Sequence, residues 1–117
     1  MARYEHLQVY KSVYDLNLYF FKLSRDFPKD YKYGLAQEIK NLLTELLDQI
    51  IIANNAVDKV DIIRKTEVII ERIKIKVRLL HDMAVIKLES YKYLFINLIG
   101  ISKQLEKWLA WAKKGER

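Results

Sequence analysis

Residues that interrupt helices are scarce in this chain, and this scarcity limits what it can fold into more than any other feature. The 117 residues include three Gly and one Pro. Turn chemistry gathers in Phe27–Gly34, in Asn54–Asp58 and, more weakly, in Asp82–Ile86. The last break is inferred from length, because without it one uncapped helix would run for about 50 residues against a usual limit near 20. These breaks divide the chain into four long segments.

The apolar residues of these segments recur at steps of three and four, which places them on one side of a helix. The stripes of the second, third and fourth segments comprise, respectively, Leu35, Ile39, Leu42, Leu43, Leu46, Ile50 and Ala53; Ile62, Thr66, Ile69, Ile70, Ile73, Val77 and Leu80; and Tyr91, Leu94, Phe95, Leu98, Ile101, Leu105, Trp108, Leu109 and Ala112. Four such helices joined by short loops indicate an all-α fold, an antiparallel up-and-down four-helix bundle. We predict one domain over residues 1–117, with helices near 4–26, 32–54, 60–82 and 88–113.

The first segment differs from the others because it carries two apolar rows. One row is made of Leu7, Tyr10, Tyr14, Leu18 and Phe21, and the other of Val9, Val13, Leu16, Phe20 and Leu23. Two rows can be covered only if neighbours pack on both. We therefore expect the first helix to be the most enclosed of the four.

Further apolar residues lie outside the core stripes. Val68, Ile75 and Leu79 share one side of the third helix, opposite its core stripe, and Tyr19 lies outside both rows of the first helix. In the fourth helix Ile96, with Tyr93, Ile99 and Trp111, also lies off the core line. Scattered exposed apolar residues are normal, but contiguous patches on soluble monomers are small. We expect an oligomer whose interface includes Val68, Ile75, Leu79, Tyr19 and Ile96.

Positive charge is confined to the second half of the chain. Residues 1–57 carry equal numbers of acidic and basic side chains, so the whole net charge of +6 comes from residues 58–117. Lys65, Arg72 and Lys76 align on the third helix, and Lys92, Lys103 and Lys107, with Lys114, share a face of the fourth. Taken together they are typical of a surface that follows phosphates, which predicts RNA or DNA binding through the backbone and not through bases. The alternative is a solvated face whose cations pair with glutamates across turns.

Several kinds of chemistry are missing from the sequence. The absence of Cys excludes disulfides and thiolate zinc sites, and the Glu-x-x-His pattern of metal-binding bundles does not occur. His6 and His81 are expected to have structural or surface roles, since His81 and Asp82 are adjacent on a helix and adjacent residues do not face each other. We predict no enzyme, no catalytic residue, no metal and no cofactor. No export signal or membrane segment is visible, which favours the cytoplasm.

Four stretches of the chain resemble the bundle proteins related to the accessory variability determinant (Avd) of diversity-generating retroelements. They are Leu7–Lys11, the turn Leu23–Leu35 with its Phe-Pro-x-x-Tyr-x-Tyr pattern, Ala53–Asn55, and Ile101–Leu109 with Trp108. The resemblance spans nearly the whole chain. It implies a positively charged homopentameric barrel that associates with the retroelement's reverse transcriptase and with nucleic acid, and that assists the mutagenic copying of a template RNA.

The same group is similar to proteins encoded in intervening sequences of bacterial ribosomal RNA. Two functions therefore stay open at this point. One is a non-enzymatic retroelement accessory protein that holds a reverse transcriptase and its template RNA or cDNA together. The other is a bundle of the intervening-sequence kind that makes protein contacts and whose basic faces only interact with solvent.

Overall fold

The helical segments of the chain fold as four long antiparallel helices. The computed structural model describes residues 2–115, with side chains from residue 8 onward. The elements are α1 (Ala2–Leu23), a 3₁₀ turn (Ser24–Asp26), the one-turn helix α2 (Lys29–Lys32), α3 (Leu35–Asn55), α4 (Val60–Asp82) and α5 (Leu88–Gly115). Within residues 2–115 there are no strands, which confirms the predicted all-α class.

The turn around Pro28 is more structured than the sequence analysis expects. Pro28 precedes α2, and the backbone N–H groups of Tyr31 and Lys32 both donate to the Pro28 carbonyl oxygen. Gly34 then separates α2 from α3. A Cβ atom at Gly34 would lie 2.7 Å from the backbone oxygen of Asp30, so the reversal between the two helices needs a residue without a side chain.

The four long helices pack in a ring. The neighbouring pairs are α1 with α3, α3 with α4, α4 with α5, and α5 with α1. The Gln104 side-chain amide donates to the Ser12 hydroxyl over 3.1 Å, and the Tyr19 and Tyr93 ring centroids lie 4.2 Å apart, so α1 and α5 run antiparallel. In this ring the α1–α3 edge of the bundle lies opposite the α4–α5 edge.

The predicted stripes of the three later helices form the core. Nearly all their residues are buried, from Ile39 in α3 through Ile73 in α4 to Trp108 in α5, while Leu35, Ile62, Tyr91, Phe95 and Leu109 are half-buried at the margin. The Thr66 hydroxyl, buried within the α4 stripe, donates to the Ile63 carbonyl oxygen of its own helix. Burial of the apolar stripes supplies the main driving force for the fold.

The expectation that α1 is the most enclosed helix is wrong. Its row containing Val9, Val13, Leu16 and Phe20 is buried, but Tyr14, Leu18 and Phe21 of the other row are 46%, 45% and 39% exposed. The reason is geometric, because α1 occupies a corner of the ring and its two neighbours cover only the sides that face them. The side chains of His6 and Leu7 lie outside the described residues.

The turn between α4 and α5, predicted from length alone, is a helix-ending motif. Ala84 has a φ of 62°, and the N–H groups of Ala84 and Val85 donate to the carbonyl oxygens of His81 and Leu80. These are the two hydrogen bonds of a Schellman motif, in which the left-handed position usually holds Gly. An alanine therefore ends α4 in a conformation that costs it about 1–2 kcal/mol.

Candidate nucleic-acid interface

The outer face of α4 divides into three parallel tracks. At about 100° per residue, Val68, Ile75 and Leu79 run along the middle, and they are 60%, 64% and 41% exposed. Basic residues flank this apolar track on both sides. One flank turns toward α3 and the other toward α5.

The flank toward α3 holds the first predicted basic stripe, Lys65, Arg72 and Lys76. The Lys76 Nζ atom lies 2.8 Å from the Glu38 Oε1 atom on α3. Arg72 lines the same shallow groove between α3 and α4 as Glu38 and Glu45. This stripe is therefore partly neutralised within the chain, because a carboxylate already occupies the position a phosphate would take on Lys76.

The second predicted stripe lies on the outer face of α5. Lys92, Lys103 and Lys107 are all exposed, and in the described part of the chain none of them lies within ion-pair distance of a carboxylate. Lys114 extends the stripe, so that it runs over 22 residues, about 33 Å of helix. A row of unpaired cations of this length is the geometry that a polyanion backbone can follow.

The structure does not join the two stripes into one surface. Lys65, Arg72 and Lys76 face the α3 side of α4, and the apolar track lies between them and α5. The combined surface expected from the sequence is wrong in this respect, because the order of the helices around the ring was not visible in their periodicity.

The cations that do face α5 are ones the sequence analysis left unassigned. Lys74 lies 3.2 Å from Glu71 and 5.9 Å from the Phe95 ring centroid on α5, and Arg78 lies 3.6 Å from Asp82. Arg64 occupies the same flank and is exposed. The angular position of these residues could have identified them, once the side of α4 that meets α5 was known.

The residues expected in an oligomer interface are placed unevenly. Ile96 is 68% exposed on α5, which, with the α4 apolar track, leaves four of the five on open surface. Tyr19 is different, because it is half-buried and its ring packs against Tyr93 between α1 and α5. Its contact within the bundle accounts for an aromatic residue that lies outside both rows of α1.

His81 and Asp82 do touch, contrary to the expectation for neighbouring helical residues. The His81 Nδ1 atom lies 3.1 Å from the Asp82 Oδ1 atom, and the imidazole stacks on Tyr91 with ring centroids 4.6 Å apart. The contact forms because both residues lie in the last turn of α4. The pair lies at a helix end where its stacking partner belongs to α5, so it ties the two helices together.

Two further features limit the range of sites. In the stretch 2–115, each helix is too short or too polar to cross a bilayer. Among the residues with described side chains, no three potential metal ligands come together.

The comparison with family models gives the last piece of evidence. The model of the family described as bAvd-like matches residues 7–112, which is most of the chain and includes all four long helices. A search of curated proteins gave no match. The resemblance to Avd-related proteins stated from the sequence is confirmed by this match and agrees with the helical bundle. The chain belongs to the bAvd-like family.

Proposed function

We propose that this chain is a non-enzymatic accessory protein of a diversity-generating retroelement. It works in the cytoplasm as a homo-oligomer, with a pentamer as the expected form. It binds the reverse transcriptase and holds nucleic acid, the template RNA or its cDNA, by the phosphate backbone during mutagenic retrohoming. Family membership carries the proposal, since Avd-like proteins are of an accessory, non-catalytic kind.

The distribution of charge supports the nucleic-acid part. The α5 stripe offers exposed cations with no carboxylate partner among the described residues, whereas Lys76 of the α4 stripe is paired with Glu38. We therefore assign the main phosphate contacts to Lys92, Lys103 and Lys107. Lys65 and Arg72 add contacts from the α4 stripe, and Lys76 contributes only when its ion pair opens.

A comparison of three triple variants tests this assignment. K92E/K103E/K107E should weaken retention of a labelled RNA at least tenfold in filter binding at low salt, because each lost phosphate contact also reduces the salt dependence of binding by about one counterion. K65E/R72E/K76E should have a smaller effect. The control K11E/K22E/K29E makes the same change in net charge on α1 and α2.

The control decides between a site and a general effect of charge. If K11E/K22E/K29E weakens RNA retention as much as the α5 variant, the α5 stripe is not an interface. If none of the three variants changes retention, the basic faces are ordinary solvated surface. Circular dichroism on each variant checks that the bundle stays folded.

The second function is an intervening-sequence type of bundle that makes protein contacts without binding nucleic acid. The ion pairs Lys76–Glu38 and Lys74–Glu71 favour it, since they show basic residues serving the bundle itself. The gene's neighbourhood separates the two functions. A reverse transcriptase gene beside a pair of near-identical repeats supports the first, and a position inside a ribosomal RNA gene supports the second.

A further inference from the structure

An apolar groove runs between α1 and α3, on the edge of the bundle opposite α4 and α5. We call it the α1–α3 groove, and it is lined by Tyr14, Asn17, Leu18, Phe21, Thr44 and Leu47. Tyr14, Leu18 and Phe21 are the exposed members of the second apolar row of α1. Neither the proposed phosphate contacts nor the apolar track of α4 reaches this edge, so the proposed function leaves the groove unused.

The length of the groove indicates the size of its occupant. Tyr14 and Phe21 are seven residues apart, which is about 10 Å or two turns of helix. A stable dimer of two bundles buries about 800 Å² on each partner, and a groove of two turns is short for such an interface. It fits one amphipathic helix, which reaches a groove with apolar residues at positions i, i+4 and i+7.

Charge at the two ends of the groove indicates the polarity of the occupant. At the Phe21 end, the Lys40 Nζ atom lies 5.2 Å from the Phe21 ring centroid, and Lys22 and Arg25 are exposed within the next turn of the chain. At the Tyr14 end, Lys11 is paired with Asp15 over 3.4 Å. The nearest acid along the chain at the Phe21 end is Asp26, so that end is basic while the Tyr14 end is neutral.

We propose that the α1–α3 groove receives a single amphipathic helix of a protein partner. The apolar side of this helix lies against Tyr14, Leu18 and Phe21, and acidic residues at one of its ends meet Lys22, Arg25 and Lys40. This inference goes beyond the proposed function, because it requires neither nucleic acid nor a particular partner. It also uses the opposite edge of the bundle, so the two can fail independently.

Synthetic peptides test the proposal directly. The probe is a fluorescein-labelled helix of about 18 residues, long enough to be partly helical alone, with Leu at i, i+4 and i+7 and Glu confined to one terminal turn. One control peptide has the same composition with the Leu residues spread around the helix, and a second carries Lys in place of Glu. Fluorescence anisotropy should show the probe binding at least tenfold more tightly than either control.

Variants of the groove complete the experiment. L18E should weaken probe binding at least tenfold, and K40E about fivefold, with the K40E effect reduced at high salt. The matched control is I52E, because Ile52 is 49% exposed on the side of α3 that faces away from α1, against 45% for Leu18. I52E should bind the probe as the unsubstituted protein does, and L18E should retain RNA unchanged.

Three results would overturn the proposal. The first is equal binding of all three peptides, or none by the probe. The second is a fall in molar mass for L18E in light scattering, which would assign the groove to a second copy of the chain. The third is loss of RNA retention by L18E in parallel with peptide binding, which would mean that the groove is part of the nucleic-acid surface.

Discussion

Gly34 shows how a single residue fixes the connection between two elements. Its Cα lies so close to the carbonyl of Asp30 that any side chain would meet that oxygen at 2.7 Å. We expect G34A to lower the free energy of unfolding by about 1–3 kcal/mol, the usual range for overpacking, as measured by urea denaturation. G100A is the control, because nothing lies within 4 Å of a Cβ at Gly100. Equal effects of the two substitutions would contradict the close contact.

At Ala84 we predict the opposite sign. Its φ of 62° is a conformation that an L-residue adopts at a cost of about 1–2 kcal/mol, while Gly loses up to about 1 kcal/mol through the flexibility of the unfolded chain. A84G should therefore raise the free energy of unfolding by about 0.5–1 kcal/mol. The neighbouring substitution M83G has only the entropic cost, since Met83 has a φ of −86°, and it should destabilise. A stabilising M83G would refute this account.

At the scale of the element, the end of α3 depends on a side chain from the next loop. The Lys59 Nζ atom donates to the carbonyl oxygens of Ala53 over 2.9 Å, Asn54 over 3.3 Å and Ala56 over 2.6 Å. These carbonyls lie at and just beyond the last turn of α3, where a cation also interacts favourably with the helix dipole. Lys59 thus joins the end of α3 to the start of α4.

We expect K59M to cost about 1–2 kcal/mol in the free energy of unfolding, since it keeps the aliphatic chain but removes hydrogen bonds from a charged donor. Thermal unfolding followed by circular dichroism measures the loss. K113M removes a charge from the exposed end of α5 and should be close to neutral. If K59M is also neutral, the three hydrogen bonds do not contribute to stability in solution.

At the scale of the whole molecule, the apolar track of α4 predicts association. Val68 and Ile75 are 60% and 64% exposed on the same face, and transfer of apolar surface from water favours burial by about 25 cal/mol per Å². Light scattering should give a molar mass that is a multiple of 14.0 kDa. V68E/I75E should shift the mass to that of one chain without unfolding it, whereas I52E should not. A single-chain mass for the unsubstituted protein would exclude the oligomer.

The charge predictions show where sequence reasoning reaches its limit. Lys65, Arg72 and Lys76 do share one side of α4, as their spacing indicates. The spacing could not show that this side meets Glu38 and Glu45 of α3, or that α5 lies on the other flank. Similarly, the second row of α1 was recognised as apolar, but only the positions of α3 and α5 show that Tyr14, Leu18 and Phe21 remain exposed.

The sequence by itself determined the helical class, the core stripes of α3, α4 and α5, and the approximate limits of the four long helices. These follow from local periodicity and from the positions of Pro28, Gly34 and the Asn54–Asn55 pair, which act over a few residues. The tertiary structure decided the order of the helices around the ring, and with it which cations are paired and where the α1–α3 groove lies. Such features depend on contacts between residues far apart in the chain, because a helix presents every side to its surroundings and only its neighbours determine which sides are covered.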